Sequence, residues 1–465
     1  MISVNYNGYF GDKRIEKRGA QLHLGLFQNS IHSIQGIAEN RAEQKGFYRF
    51  LHNNKSSEDK LIKELAQRCG KLTKDKIVLS IQDTSEVNLS AHANRLKKNS
   101  GLGDIDDNRS GIGFKLHPSL VIDAMSCVPL GFSDIRIWNR PIDMADKYAR
   151  EYTKLPIEEK ESYKWIESSN NTKKVLSEAK AVIIVQDREG DIFEQFADIP
   201  DEKTFLLIRS QVNRTIASNE KLWDVLGKSE VLGHYELSVS ADSRRRTPTR
   251  IATIEVRCIA VQIKCPKHYK KNHLKTVTLF AIEAKEINSK ATEPIHWRLV
   301  TTWPVNNFED ALCVIEWYTW RWLVEEVFRA LKKEGYDIES SELESGWAIR
   351  KLTIMMMDVI VKLMQMRIAY SYPEGEDLET ETVFNEQEQE CLIAINKKIE
   401  GKTKKLQNPY RHVKLKWAVW IIARLGGWKG YNSQRPPGLT TLQKGLDKFY
   451  ITFKGWSLEK DVGTR

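Results

Sequence analysis

Cysteine is scarce and scattered. The six residues (Cys69, Cys127, Cys258, Cys265, Cys313 and Cys391) show no CxxC spacing in 465 positions. That excludes a zinc-ribbon pattern and a disulfide framework, and it reads as the reduced thiols of a cytosolic protein. The start, "MISVNYNGYFGDKR", lacks a signal-peptide core. Long apolar runs are missing too; "WAVWIIA" at 417–423 is typical, so no membrane span is expected. No internal repeat is present. A large charge excess is also absent, since 72 Lys and Arg against 62 Asp and Glu leave +10. That balance permits a polyanionic partner without requiring one. The 41% hydrophobic content fits a soluble globular chain.

Residues 1 to about 55 read as helical and net positive. "DKRIEKRGAQLHLGLFQ" sets Arg14 and Arg18, and Lys13 and Lys17, four apart on one face. A solvated amphipathic helix has the same charge pattern. "KIVLSIQD" at 76–83 and "KAVIIVQD" at 180–187 read as buried strands, each ending in an aspartate. Residues 110–138 read as strands with Gly and Pro breaks. Alternating runs between about 204 and 302 form a β-rich block. Helical periodicity takes over from about 309, and "TIMMMDVIVKLMQMRIAY" reads as core helix. Residues 370–390 carry eight acids and no Lys or Arg, the composition of a linker or exposed loop. A basic stretch and the amphipathic "VKLKWAVWIIARLGG" follow, reading as a small helical domain.

An aspartate ending one strand is usually a cap or turn residue. Two of them, Asp83 and Asp187, followed by a glutamate on a later helix, point further. In α/β folds the C-terminal strand edge is where sites are built. Hard carboxylate oxygens without Cys or His suit Mg²⁺ or Mn²⁺ rather than zinc. On the helix "YTWRWLVEEVFRALKK" at 318–333, a step of about 100° places Tyr318, Arg321, Glu325, Arg329 and Lys332 on one stripe. Trp320, Leu323, Val324, Val327, Ala330 and Leu331 fall opposite. Glu326 falls on the flank, with no role that spacing assigns. A salt-bridged solvated face looks alike, because Arg321 and Glu325 are an i,i+4 pair. The helix alone leaves both readings open.

Tyr318, Arg321, Glu325 and Lys332 match the Y-x2-R-x3-E-x6-K signature, and here the chain resembles DDE transposases of the insertion-sequence-four family, Tn-five type. Further stretches carry the resemblance along nearly the whole chain: "GFYRFLHN" (46–53), "SIQDTSEVN" (80–88), "VQDREGDIF" (185–193), "HWRLVTTWPV" (296–305) and "LKWAVWIIARLGGW" (415–428). The resemblance implies an α/β (α+β) fold: an RNase H-like catalytic core with a β-strand-rich insertion, flanked by helical domains. It divides the chain into a DNA-end-binding domain (1–55), a catalytic domain (56–368) with its insertion at about 204–302, an acidic linker (369–390) and a helical dimerisation domain (391–465). Asp83, Asp187 and Glu325 take the catalytic, metal-binding positions, implying two Mg²⁺ ions, replaceable by Mn²⁺. Tyr318, Arg321, Lys332 and Arg209 take positions that grip DNA near the cut. Trp297 takes that of an aromatic residue filling the gap left by a flipped base; read without the resemblance, it is a core tryptophan. Arg329 belongs to the same DNA-binding set but departs from close relatives, which carry Lys there, so a planar fork replaces a point charge. "DTSEVN" after Asp83 also has its own wording, and the N-terminal DNA-reading residues do not transfer cleanly.

The implied activity is cut-and-paste transposition by a homodimer on double-stranded transposon ends and target DNA, in the bacterial cytoplasm and without a membrane. Water nicks each end, the freed 3′-OH forms a hairpin on the opposite strand, a second water opens it, and the 3′-OH joins target DNA. Two rivals share the sequence features. One is an RNase H-fold nuclease without strand transfer. The other is a catalytically silent, transposase-derived DNA-binding regulator.

Overall fold

The computed structural model describes residues 4–463 apart from 30–32, 98–99, 106–110, 141–154, 240–247, 268, 270–274, 290, 292, 334, 372–377 and 432–433. Its helices are α1 (Lys13–Gln28), α2 (Ile34–Ile37), α3 (Arg41–His52), α4 (Glu58–Leu72), α5 (Tyr163–Val175), α6 (Phe193–Asp198), α7 (Leu222–Lys228), α8 (Phe308–Thr319), α9 (Trp322–Lys332), α10 (Gly346–Ser371), α11 (Glu386–Ile399), α12 (Leu415–Leu425) and α13 (Leu439–Gly463). Its strands are β1 (Ile77–Gln82), β2 (Ser85–Asn88), β3 (Gly103–Asp104), β4 (Ile112–Asp123), β5 (Pro129–Trp138), β6 (Ala181–Gln186), β7 (Thr204–Arg209), β8 (Val231–Val239), β9 (Arg250–Lys264), β10 (Thr276–Glu286) and β11 (His296–Thr301). The fold is mixed α/β, as an RNase H-like core with a β-rich insertion requires. Among the described residues no helix is long and apolar enough to cross a membrane. Two compact units emerge, one of residues 1–73, 84–151 and 324–465, the other of residues 74–83 and 152–323.

The second unit is built on β1 and β6. Their cores, "IVLSIQ" and "AVIIVQ", are buried almost throughout, the signature of strands covered on both faces. They pair in parallel with Ile81 opposite Val185. β7 adds a third parallel strand beside β6. β11, β10, β9 and β8 then follow antiparallel in that order. β8 alternates half-buried and exposed positions, so one face of this outer ribbon meets solvent. α5 contributes buried Trp165, Ser169 and Thr172.

The first unit is organised by α10, whose "TIMMMDVIVKLMQM" run is buried on all sides, as expected for a core helix. In this unit β4 pairs antiparallel with β2, β3 and β5. Residues 386–390, expected in an acidic linker, instead form the start of α11. Asn385 and Glu388 close a capping box there, and acids near a helix N-terminus are favoured by its dipole. Residues 372–377 of that stretch lie outside the described residues.

A buried polar network ties α1, α4 and α10. Arg68 Nη2 donates to Asp358 Oδ2 at 2.8 Å, and its Nε donates to Glu64 Oε1 at 3.1 Å. His23 Nε2 lies 3.1 Å from the same Asp358 oxygen. Burial opposes ionisation of Asp358, but Arg68 and His23 beside it outweigh burial and hold its carboxyl far below the usual range. Removing one partner leaves a buried charge uncompensated. Asp358→Ala is therefore expected to cost about 3–5 kcal/mol, read as a lowered denaturant midpoint; an unchanged midpoint would refute the assignment. His23 is pushed below its ordinary pKa by burial. The unfolded chain then takes up the proton first, so stability is full above about pH 6.5 and declines as pH falls below it. His23→Gln is expected to flatten that decline in melting curves taken between about pH 7 and pH 5.

Candidate active site and nucleic-acid interface

The parallel register of β1 and β6, continued two residues past Ile81 and Val185, sets Asp83 opposite Asp187. Adjacent strands lie about 4.8 Å apart, so both carboxylates leave the same sheet edge. Beneath them the preceding residues are locked together. Gln186 Nε2 donates to Gln82 Oε1 at 2.8 Å and lies 3.3 Å from Ser169 Oγ on α5. Ser169 Oγ in turn donates to the Trp165 carbonyl at 2.7 Å. Asp187 caps a short 3-10 turn by accepting the Glu189 N–H at 2.8 Å. That turn must close tightly: a Cβ on Gly190 would stand 2.4 Å from Gln186 Oε1, so only glycine fits.

Cations surround this edge. Arg321 Nη1 donates to Asp83 Oδ2 at 2.8 Å. Burial raises the Asp187 carboxyl above its ordinary pKa, while the Glu189 N–H and nearby Arg321 pull it back. Tyr318 is buried, its phenol hydrogen-bonded with Arg209, and its ring meets Trp297 edge-on at 5.7 Å. Burial raises the Tyr318 phenol and lowers the Arg209 guanidinium. Six of the expected residues (Asp83, Asp187, Arg209, Trp297, Tyr318 and Arg321) thus assemble within the second unit. Trp297 is half-buried on β11.

Glu325, Arg329 and Lys332 belong to the first unit, on α9. Glu325 is exposed and Glu326 buried. Glu326 accepts from Arg329 at 2.9 Å and from Arg367 of α10. The flank glutamate therefore staples α9 to α10, a role set by a residue 41 positions away and invisible to local spacing. Burial lowers the Lys332 ammonium, against the nearby carboxylates Glu339 and Glu86.

One expectation needs correction. Residues 318–333 are not one helix. α8 ends at Thr319, α9 begins at Trp322, and the Arg321 N–H bonds to the Tyr318 carbonyl at 3.2 Å. This three-residue closure changes the phase of the helix, so the stripe from Tyr318 through Glu325 is not continuous. Within α9 the expected apolar set (Leu323, Val324, Val327, Ala330 and Leu331) is buried as predicted.

Among the described residues no group of three or more His, Cys, Asp and Glu side chains is gathered to hold a metal ion. The donor chemistry at the paired strand ends is still that of a hard cation, with carboxylate oxygens and no soft ligand. One Asp83 oxygen is held by Arg321.

A basic surface lies at the N-terminus. Arg41, Lys45 and Arg49, spaced by four, are exposed along α3, a stripe the reading of α1 alone passed over. On α1, Lys13, Arg14 and Lys17 are exposed, whereas Arg18 is drawn to Glu43 at 3.5 Å and lies 5.6 Å over the Phe47 ring.

Comparison with known proteins adds two findings. Among solved structures, the chain is similar to a piggyBac transposase in a synaptic complex with hairpin DNA, with 9% sequence identity and a TM-score of 0.36. The match covers 74% of this chain and 64% of that one, so it spans a little under two thirds of that structure. Residues 8–56, which contain both basic surfaces, match the family model described as transposase DNA-binding, and this supports a transposase that binds DNA.

Proposed function

We propose that this chain is a DDE-type transposase of the insertion-sequence-four family, Tn-five type, which cuts transposon ends through a hairpin intermediate and joins them to target DNA. The observation that carries the reading is the parallel pairing of β1 with β6, each of which is followed directly by an aspartate, Asp83 and Asp187, at one sheet edge. With Glu325 as the third carboxylate, these residues would hold two Mg²⁺ or Mn²⁺ ions, which when bound supply activation of the attacking oxygen and stabilisation of the leaving one. Arg321 holds the Asp83 carboxylate in place and brings a cation to the phosphate. Arg209, kept in position by the Tyr318 phenol, supplies another. Trp297, braced by the Tyr318 ring, offers a flat surface against an unstacked base, which relieves the bend of a hairpin end. Arg329 and Lys332 bring further positive charge on α9.

Each chemical step is an in-line phosphoryl transfer. Water attacks to leave a 3′-OH, that hydroxyl attacks the opposite strand, a second water opens the hairpin, and the 3′-OH attacks target DNA. The exposed stripe Arg41, Lys45 and Arg49 anchors end DNA through its phosphates. A homodimer, joined through the C-terminal helices, pairs two ends. The protein works in the bacterial cytoplasm.

An assay with labelled inverted-repeat ends, a plasmid target and Mg²⁺ tests the reading. Joined product is expected. Cleavage without joining would favour a nuclease, and binding without nicking a silent regulator. Glu325→Gln should abolish nicking while end binding survives. Glu326→Gln should leave nicking within several-fold and instead lower thermal stability by about 1–3 kcal/mol, because Arg367 loses a charged acceptor. Equal loss of nicking in the two variants would sink the assignment of Glu325. Replacing Arg41, Lys45 and Arg49 together by Ala should weaken end binding and reduce the slope of log affinity against log salt by about 2–3; an unchanged slope in fluorescence anisotropy would remove α3 from the interface.

A further inference from the structure

Most of the chain's charge excess sits in one short stretch. The whole protein carries +10, and residues 397–416 alone hold seven lysines and one arginine against a single glutamate, Glu400. The stretch runs from the last turn of α11 to the first turn of α12, within the first unit. Lys397, Lys398, Lys402, Lys404 and Arg411 are all exposed. Among the described residues none of the five is paired with a carboxylate. Glu400 is half-buried, and its Oε1 accepts the Asn408 N–H at 3.0 Å.

The loop that carries these cations is tied down. Asn408 Nδ2 donates to Asn396 Oδ1 on α11 at 3.2 Å and to the Trp417 carbonyl on α12 at 3.1 Å. The Gly401 N–H donates to the Leu406 carbonyl at 3.2 Å, closing the loop around a 3-10 turn at Lys404–Leu406. These bonds fold the loop back onto the end of α11, where Lys397 and Lys398 already lie. Lysines in the last turn of a helix are favoured by its dipole, which accounts for those two. It does not account for Lys402, Lys404 and Arg411, which lie beyond the helix. Their mutual repulsion is a cost that a polyanion would remove.

The surroundings select the polyanion. A membrane surface is engaged by an amphipathic helix with an apolar face to insert; here the cations of the loop lie outside any helix, and the apolar side of α12 is buried. Single strands are held by stacking on open aromatic rings, whereas the rings of this stretch are engaged, Tyr410 with Tyr370 and His412 with Trp417. A second copy of the chain would set like charge against like in an isologous contact. A duplex held by its phosphates asks only for cations, and such contacts carry no sequence information. We propose that the surface of Lys397, Lys398, Lys402, Lys404 and Arg411 binds the backbone of target DNA as a duplex, without reading its bases. The identity of that duplex as the target rests on the transposase reading, although the binding itself can be tested without any cleavage.

The test uses the full-length protein in EDTA and a short fluorescent duplex of arbitrary sequence. Combining Lys397→Gln, Lys398→Gln, Lys402→Gln and Lys404→Gln is expected to weaken binding about tenfold and to reduce the slope of log affinity against log salt by about 2–4. Arginine at the same four positions should preserve both, because the charge is kept. Melting curves should stay unchanged, since the side chains removed are exposed and unpaired. An unchanged slope would overturn the proposal, as would a single strand that competes better than the duplex. Loss of binding to phosphatidylserine vesicles with DNA binding intact would overturn it in favour of a membrane. With labelled ends, a plasmid target and Mg²⁺, the Gln variant should lose joined product about tenfold while nicking of the ends persists; an equal fall in both would give the surface to the ends and overturn the target assignment. The two readings fail separately: nicking with an unchanged salt slope removes only this surface, and a reduced slope in a protein that never nicks keeps the duplex surface and removes the transposase reading.

Discussion

The parallel pairing of β1 with β6 is the constraint on which the candidate site depends. A one-residue slip in that register would turn every side chain of one strand to the other face. Asp83 and Asp187 would then no longer leave the edge side by side. The pairing is held at its end by more than the backbone ladder. The buried Gln82–Gln186 bond joins the last residue of each strand, and Ser169 anchors it to α5. Unpaired, the Gln186 amide nitrogen and the Gln82 carbonyl oxygen would carry a desolvation cost, and the correct register is the one that pairs them. Polar groups in a buried strand end thus fix the position of the charged groups just beyond.

Much of this was legible in the sequence, because strand cores of β-branched residues and an aspartate after each are local patterns. The register was not, since it pairs residues about a hundred positions apart. α9 shows the same division. Its buried face follows from helical spacing, and Leu323, Val324 and Val327 are where periodicity puts them. The break before Trp322 does not follow, because no glycine or proline marks it. Glu326 was left without a role for a similar reason: its second partner, Arg367, arrives from another helix. The stripe of Arg41, Lys45 and Arg49 was readable by the same spacing rule that picked out α1.

The carboxylates sort into two kinds, and the sorting bears on function. Asp358 has Arg68 and His23, Glu326 has Arg329 and Arg367, Glu283 has His296 and Arg298, and Asp191 has Arg214. Each is held by at least one close guanidinium, with a second guanidinium or a histidine nitrogen beside it at Asp358, Glu326 and Glu283, as buried charges must be to persist. Asp187 is different. Burial raises it, and its compensation is a backbone N–H, from Glu189, with Arg321 and Lys164 nearby.

A charge that the fold buries without fully pairing is a cost that selection retains only where something else supplies the missing partner. Burial likewise disfavours the charge on Arg209, whose guanidinium is hydrogen-bonded with the Tyr318 phenol. One sheet edge therefore carries a partly buried anion at Asp187 and, at the end of the neighbouring strand β7, a partly buried cation at Arg209. A cation bound at the first and a phosphate at the second would neutralise both together. Phosphodiester cleavage would bring those two species to one place, which is the electrostatic pattern that the proposed function calls for at this edge.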